Sequence, residues 1–239
     1  MNLNRQIEKW LQSSISSTEL TKRPFVTLAY AQSWDGSITT RCGEKLNFSC
    51  KESTELTHQL RSLHDGILVG IGTVLSDDPQ LTVRDWDGPN PQPIVLDSHL
   101  RIPNSAKVCH HPDKCCWILT RKTEFGPLTG NAEIVTVNGE DNEQGNVPLV
   151  SAMEILYERG IRSLMVEGGA KIITAFLQAH LVDALVLTVA PQIVGGYKAV
   201  GDLQSVTGHE IPDITPIFSS QAGEDFIIWG RLYFKGKSN

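Results

Sequence analysis

The sequence predicts an α/β protein built on a largely parallel sheet covered by helices on both faces. Three observations predict it. Apolar runs of strand length alternate along the chain with segments whose apolar residues recur at helical spacing. The stretch Ile161–Ala179, IRSLMVEGGAKIITAFLQA, holds one complete unit. Its apolar run Leu164-Met165-Val166 leads through Glu167 and Gly168-Gly169 into Ile172, Ile173, Phe176 and Leu177 at helical period. No internal repeat or linker divides the remainder, so one main domain is expected.

In chain order, residues 1–22 read as a short amphipathic helix (Ile7, Trp10, Leu11) and a Ser/Thr-rich tether, leaving 23–239 as the domain. Phe25–Ala31 is a strand that runs into Gln32-Ser-Trp-Asp-Gly, where Asp35-Gly36 is a turn signal, functional or simply a hairpin. Ser49-Cys-Lys-Glu52 has capping-box spacing and predicts a helix start, with Leu56, Leu60 and Leu63 as the buried stripe. Arg61 stands beside that stripe, where it either flanks a cleft or is solvated. A buried strand follows at Gly66–Val69. Gly70-Ile-Gly72 after it imitates a dinucleotide fingerprint, but Leu75 stands where the third glycine belongs. Asp77-Asp78-Pro79 is a turn, because proline disfavours helix at the residue before it. Arg84 closes the apolar piece Leu81-Thr82-Val83.

Further strands fit Pro93–Leu96, ending at Asp97-Ser98, then Cys116–Thr120 and Glu133–Val137. Asp85–Gln92 and Asn138–Val147 read as surface loops. Pro148 and Gly160 bracket a helix with Leu149, Met153 and Leu156 inward. Two late strands are expected, Ala184–Val189 and Asp225–Phe234.

The net charge of −6 and the lack of a dense Lys/Arg run argue against a nucleic-acid partner. No apolar run approaches membrane-spanning length, and MNLNRQIEKWLQSS lacks the apolar core of a signal peptide, so a cytoplasmic protein is expected. The five cysteines have no framework spacing and read as reduced thiols. Cys109-His110-His111 and Cys115-Cys116 lack the ligand spacing of a structural zinc site, so no metal is expected.

The chemistry-bearing signal is the Glu-Gly-Gly turn. Glycines let backbone approach a ligand, helix-opening amides face the space above the strand end, and a carboxylate there sits where open α/β sheets bind ligands. An ordinary βα turn with a solvated Glu167 has the same pattern. Walker, G-x-S-x-G and zinc-deaminase signatures are missing. Strand-end polar residues remain, Asp35, Thr73, Asp77, Ser98 and Glu167, together with Arg61 and Arg84 for an anionic group. That set suits phosphorylated-substrate chemistry with a borrowed cofactor better than hydrolysis.

Taken together in this order, GIGTVLSDDPQLTVR, PIVLDSHLRIP, LMVEGGAKIITAFLQAHLVD and APQIVGG resemble the riboflavin-pathway pyrimidine reductases. These comprise the stand-alone archaeal and fungal enzymes and the reductase half of bacterial deaminase–reductases. Ser33-Trp-Asp-Gly36 also resembles that family's Ser-Leu-Asp-Gly turn, and the similarity runs from about Arg23 to the C-terminus. The resemblance implies a dihydrofolate-reductase-like fold, a mostly parallel mixed sheet flanked by helices. It also implies an NADPH-dependent oxidoreductase and a homodimer.

By position, the resemblance implies cofactor contacts at Ala31, Thr73, Asp77 and Ser98, and at the glycine turn and helix start, Gly168, Gly169, Ala170, Lys171, Ile172 and Ile173. It implies substrate contacts at Arg61, Leu81, Arg84 and Glu167, with the two arginines suited to a phosphate because their forks bond two oxygens at once. Lys45 and Asn47 stand where bacterial two-domain enzymes have Ser and Trp, so roles there do not carry over, and Asn47-Phe-Ser-Cys is closer to the archaeal type. Residues 1–22 are too few to hold a deaminase domain, which this chain is expected to lack.

The implied reaction reduces a ribosylamino group to a ribitylamino group on an aminopyrimidine 5′-phosphate, either the diamino-pyrimidinone or its deaminated form. A catalytic group must manage the proton of ring opening; Glu167 is the first candidate and Asp35 the second. The rivals are a same-fold reductase of another carbonyl or imine, a pterin included, and a nucleotide-binding module without turnover.

Overall fold

The structure, a computed structural model, describes residues 2–16, 22–44, 46–124, 126, 130–139, 145–203 and 211–234. The Ser/Thr-rich tether at 17–21, Lys45 and the centre of the loop at 140–144 lie outside the described residues. In chain order the elements are α1 (Leu3–Ser16), β1 (Phe25–Ser33), β2 (Ser37–Thr39), α2 (Lys51–Ser62), β3 (Gly66–Gly70), α3 (Ile71–Asp77) and β4 (Gln92–Leu96). A 3-10 turn, Lys107–His110, leads to β5 (Cys116–Thr120), β6 (Ala132–Thr136), α4 (Leu149–Glu158), β7 (Ser163–Val166) and α5 (Ala170–Gln178). The chain closes with β8 (Ala184–Ala190), β9 (Tyr197–Lys198), β10 (Asp213–Ala222) and β11 (Asp225–Tyr233).

The main sheet runs β10-β11-β8-β1-β7-β3-β4-β5-β6. From β8 to β6 every neighbouring pair is parallel; β11 is antiparallel to both its neighbours. The sheet is therefore mixed but mostly parallel, with helices on both faces. Strand alternation sorts its residues between them. Leu164 and Val166 pack with Met153 and Leu156 of α4 and Phe176 of α5, whereas Met165 between them packs with Ile7 and Leu11 of α1 and Leu56 and Leu60 of α2. On β3, Leu68 joins the first cluster, while Ile67 and Val69 pack with Val74 of α3 and Val108.

The topology positions the site. Strands β3 to β6 step outward in order, and β7 returns to fill the gap between β3 and β1. At such a switch the connections leave the carboxyl ends of the central strands in opposite directions and open a crevice. Glu167 directly follows β7 there, its amide still donating to Leu68 of β3.

Several expectations needed correction. The capping box does not form: Cys50 is the N-cap of α2 and makes no side-chain cap. Instead the Cys50 amide donates across to Asp225 at the β10–β11 hairpin, which Ser53 also bonds. Asp35-Gly36 does not close a hairpin, because β2 pairs with β9 rather than β1. Strand β10 and helix α3 were not anticipated. Most of β10 is exposed and Pro216 interrupts its pattern, as an edge strand permits. The seven residues of α3 are too few to show a helical period.

Candidate active site

The carboxyl ends of β1, β3, β4 and β7 open into a cleft of about 2370 Å³. Ala31, Thr73, Asp77 and Ser98 line it, as do Gly168, Gly169, Ala170, Lys171 and Ile172. Arg61, Leu81, Arg84 and Glu167 line the same cleft. Two expected residues stand apart. Ile173 is fully buried in the core beneath α5, and Asp35 is not part of the cleft wall.

The two glycines of the turn have different physical reasons. A Cβ on Gly168 would lie 2.7 Å from Cβ of Ile172, so packing excludes a side chain there. A Cβ on Gly169 would meet nothing within 4 Å, leaving space in front of α5. Gly169 is also the N-cap of α5 and supplies no side-chain cap. The Ile172 amide closes the first turn on the Gly169 carbonyl, which leaves the Ala170 and Lys171 amides facing an anion at the positive end of the helix. Open space beside uncapped amides fits a dinucleotide phosphate.

The opposite wall is built by α2 and the segment Leu81–Arg84. Nε and Nη2 of Arg61 donate to the two carboxylate oxygens of Glu167 at 2.7 and 2.8 Å, and Nη1 donates to the Thr82 carbonyl at 2.9 Å. The Arg61 and Glu167 side chains are only 12% and 20% exposed, so each offsets part of the other's cost of burying a charge. Against burial, which favours the neutral form, Glu167 holds the Arg61 pKa above its ordinary value. Arg61 and Glu167, expected as separate substrate contacts, are therefore one ion pair. Exposed Arg84 keeps most of its donors open, with Nη1 on the Thr82 hydroxyl at 2.9 Å. Thr82 thus ties both arginines together.

Asp35 is engaged elsewhere. Its carboxylate accepts five hydrogen bonds, from the hydroxyls of Ser33 and Ser37, the amides of Val194 and Gly195, and Nζ of Lys198. Lys198 first, then Ser33 and Val194, hold its pKa far below the usual carboxylate range. This cluster fastens the 194–198 loop to the turn after β1. Gly196 is required there because a Cβ would collide with the Thr39 carbonyl.

Thr82, Lys198 and buried His58 went unnoticed in the sequence. His58 precedes Arg61 by three residues on α2, a spacing that puts both on one helix side and was the available signal. Among the described residues no three His, Cys, Asp or Glu side chains are grouped as a metal ion requires. No described helix is long and apolar enough to cross a membrane.

A strand-end cleft with an uncapped helix terminus on one side and an arginine–carboxylate wall on the other has the placement of a ligand site in an open α/β sheet. The chain belongs to the RibD C-terminal domain family, which matches residues 24–228. The 2,5-diamino-6-ribosylamino-4(3H)-pyrimidinone 5′-phosphate reductase of Debaryomyces hansenii is 36% identical over 200 residues, covering 73% of this chain and 78% of the relative. The enzyme of that name from Archaeoglobus fulgidus is 36% identical over 187 residues, covering 73% and 83%. Among solved structures, the Saccharomyces cerevisiae riboflavin biosynthesis reductase Rib7 superposes with TM-score 0.77 at 28% identity, over 95% of this chain and 99% of that one. A Thermotoga maritima deaminase/reductase matches with TM-score 0.69 at 28% identity over 88% of this chain, which spans only 57% of that protein. The fold implied by the resemblance is thus the fold of solved riboflavin-pathway reductases.

Proposed function

We propose that this protein reduces a ribosylaminopyrimidine 5′-phosphate to its ribitylamino product, with NADPH as cofactor. The observation that carries the reading is the cleft with two unlike walls: the α5 amides suit a dinucleotide's phosphates, and Glu167 with Arg84 suits a hydroxylated, phosphorylated substrate. NADPH supplies the hydride when bound. Gly169, Ala170 and Lys171 would hold its phosphates. Arg101, which lines the cleft with Ser98, adds a cationic side chain suited to a further phosphate.

The chain's own residues position and manage protons. Opening the ribosyl ring requires proton transfer at the ring oxygen and leaves C1′ able to accept hydride. As a carboxylate, Glu167 is proposed to take the proton from the ribosylamino nitrogen and pass it to the ring oxygen as the C1′–O bond breaks and the C1′=N bond forms. Each of its oxygens accepts one bond from Arg61, and a carboxylate oxygen has a second lone pair for a substrate hydroxyl. Asp35, with five donors already on it, serves better as a clamp for the 194–198 loop than as the second acid. Arg84 meets the 5′-phosphate. The reading includes a cytoplasmic location and a homodimer; Ile217 of β10 and Phe226 of β11, 60% and 41% exposed on the same sheet face, are apolar residues a second copy would cover. The test is NADPH oxidation with the diamino-pyrimidinone phosphate and with its deaminated form. Turnover of neither, by folded protein that binds NADPH, would sink the assignment.

A further inference from the structure

His58 is buried and close to the reactive wall, yet the reaction above gives it no task. Its side chain is 4% exposed and both ring nitrogens are engaged. The Arg84 backbone amide donates to Nδ1 at 3.0 Å, and Nε2 lies 3.2 Å from a carboxylate oxygen of Asp85. An accepting Nδ1 requires the proton of the neutral ring to be on Nε2, which then donates to Asp85. Burial first, then Arg61 and Arg84, lower the His58 pKa, while Asp85 and Glu167 oppose them. The ring is thus neutral and its tautomer set from both ends.

The segment that His58 holds needs outside restraint. Leu81 is buried at φ 59, a backbone region unfavourable for a branched residue. Three bonds fix the chain after it: Arg61 to the Thr82 carbonyl, the Val83 amide to Asn90, and the Arg84 amide to His58. Only the last acts at the residue whose guanidinium faces the cleft. We propose that His58 is a positioning residue, which fixes the main chain at Arg84 and thereby aims that guanidinium at the anionic end of the substrate. A second cation at position 58 would repel Arg61 and Arg84, and an apolar residue would leave the Arg84 amide without its acceptor. A neutral imidazole accepts from Arg84 and donates to Asp85 at once.

The inference rests on the reading that Arg84 meets the substrate's phosphate. The test is steady-state kinetics on His58→Ala, His58→Asn and His58→Gln with the phosphorylated substrate, its 5′-dephosphorylated counterpart and NADPH. Asparagine can place its oxygen where Nδ1 accepts, whereas glutamine reaches toward the Nε2 position and Asp85. His58→Ala should raise KM for the phosphorylated substrate by about tenfold, the worth of one hydrogen bond that aims a charged group. It should change KM for NADPH and for the dephosphorylated substrate by less than about twofold. His58→Asn should recover most of the loss and His58→Gln little of it, a contrast that stands even if the alanine variant does not fold. Equal effects on both substrates, or identical behaviour of the asparagine and glutamine variants, overturn the inference. Arg84→Ala is the control. If it is selective for the phosphorylated substrate and the His58 variants are not, only the His58 role is lost; if it is unselective, the phosphate reading falls and this inference with it.

Discussion

Glu167 and Asp35 follow the neighbouring strands β7 and β1, and each carboxylate is paired with a cation from a distant part of the chain. Their surroundings differ. Glu167 meets one planar guanidinium at the cleft wall, in a pair of which little is exposed. Asp35 meets a half-exposed lysine, two hydroxyls and two amides away from the cleft, with Lys198 53% exposed. Both are ion pairs at strand ends, so residue type and strand-end position alone do not separate the carboxylate proposed for chemistry from the structural one. What separates them is the number of donors already on the oxygens and the space in front of them.

The largest effect should come from Glu167→Gln. It leaves most of the Arg61 charge buried without its anion, an arrangement that costs about 3–5 kcal/mol. It also removes the proposed proton-handling group, for which a loss of about 10²–10⁴ in turnover is typical. Urea unfolding and kcat read the two parts separately. Turnover within about twofold of wild type would move the chemistry off Glu167 and erase the contrast with Asp35.

Next in size is Arg84→Ala. A hydrogen bond to a charged group contributes roughly 1.5–3 kcal/mol, so affinity for the phosphorylated substrate should fall about ten- to a hundredfold. NADPH affinity should barely change, because its phosphates are assigned to the α5 amides. Gly169→Val sharpens the same division from the other side. Open space at its Cβ predicts a folded variant, and side-chain bulk before α5 predicts sharply weakened NADPH binding by calorimetry. Unchanged NADPH affinity would displace the phosphates from this turn.

The contrast between the carboxylates also marks how far the sequence could be read. The βα unit around Gly168-Gly169 was legible because strand, turn and helix are adjacent in the chain, and Gly168 packs against Ile172 only four residues on. The ends of β5 and the bracketing of α4 by Pro148 and Gly160 were legible for the same local reason. The pairing of Arg61 with Glu167 spans 106 residues and that of Asp35 with Lys198 spans 163, so no spacing rule reaches either. His58 gains its task only when Leu81–Arg84 folds back against α2. Strand β10 is exposed at the sheet edge and lacks the alternation that burial of one face imposes.

A smaller change is expected from Asp35→Asn. One oxygen survives as an acceptor, but the charge that draws Lys198 is lost. The 194–198 loop should loosen, read as faster amide exchange at Val194 and Gly195, with a smaller turnover loss than Glu167→Gln causes. Loss of turnover as severe as that of Glu167→Gln, with the loop still protected, would return Asp35 to the chemistry.

The gentlest test is acid, because it should weaken the two regions in sequence. His64 is buried, its Nδ1 at 2.7 Å from the Leu60 carbonyl of α2 and its Nε2 at 2.8 Å from the Thr27 hydroxyl of β1. A carbonyl only accepts, so Nδ1 carries the proton and Nε2 accepts from Thr27. Burial pushes the His64 pKa from its ordinary 6.5 down to about 4. Between those values the unfolded chain binds a proton that the folded protein does not, so stability falls as pH drops, by up to about 1.4 kcal/mol per pH unit. Asp35 is displaced in the same direction, but from a carboxylate's lower ordinary value. Its contribution is present above the unfolded carboxylate pKa near 3.8 and is lost only as pH falls below it toward the depressed folded value. Stability measured by urea unfolding should therefore decline from about pH 6.5, while exchange protection at Val194 and Gly195, referenced to global opening, persists until below about pH 4. Simultaneous loss of both would mean that the clamp at Asp35 and the wall at Glu167 are one cooperative unit rather than two.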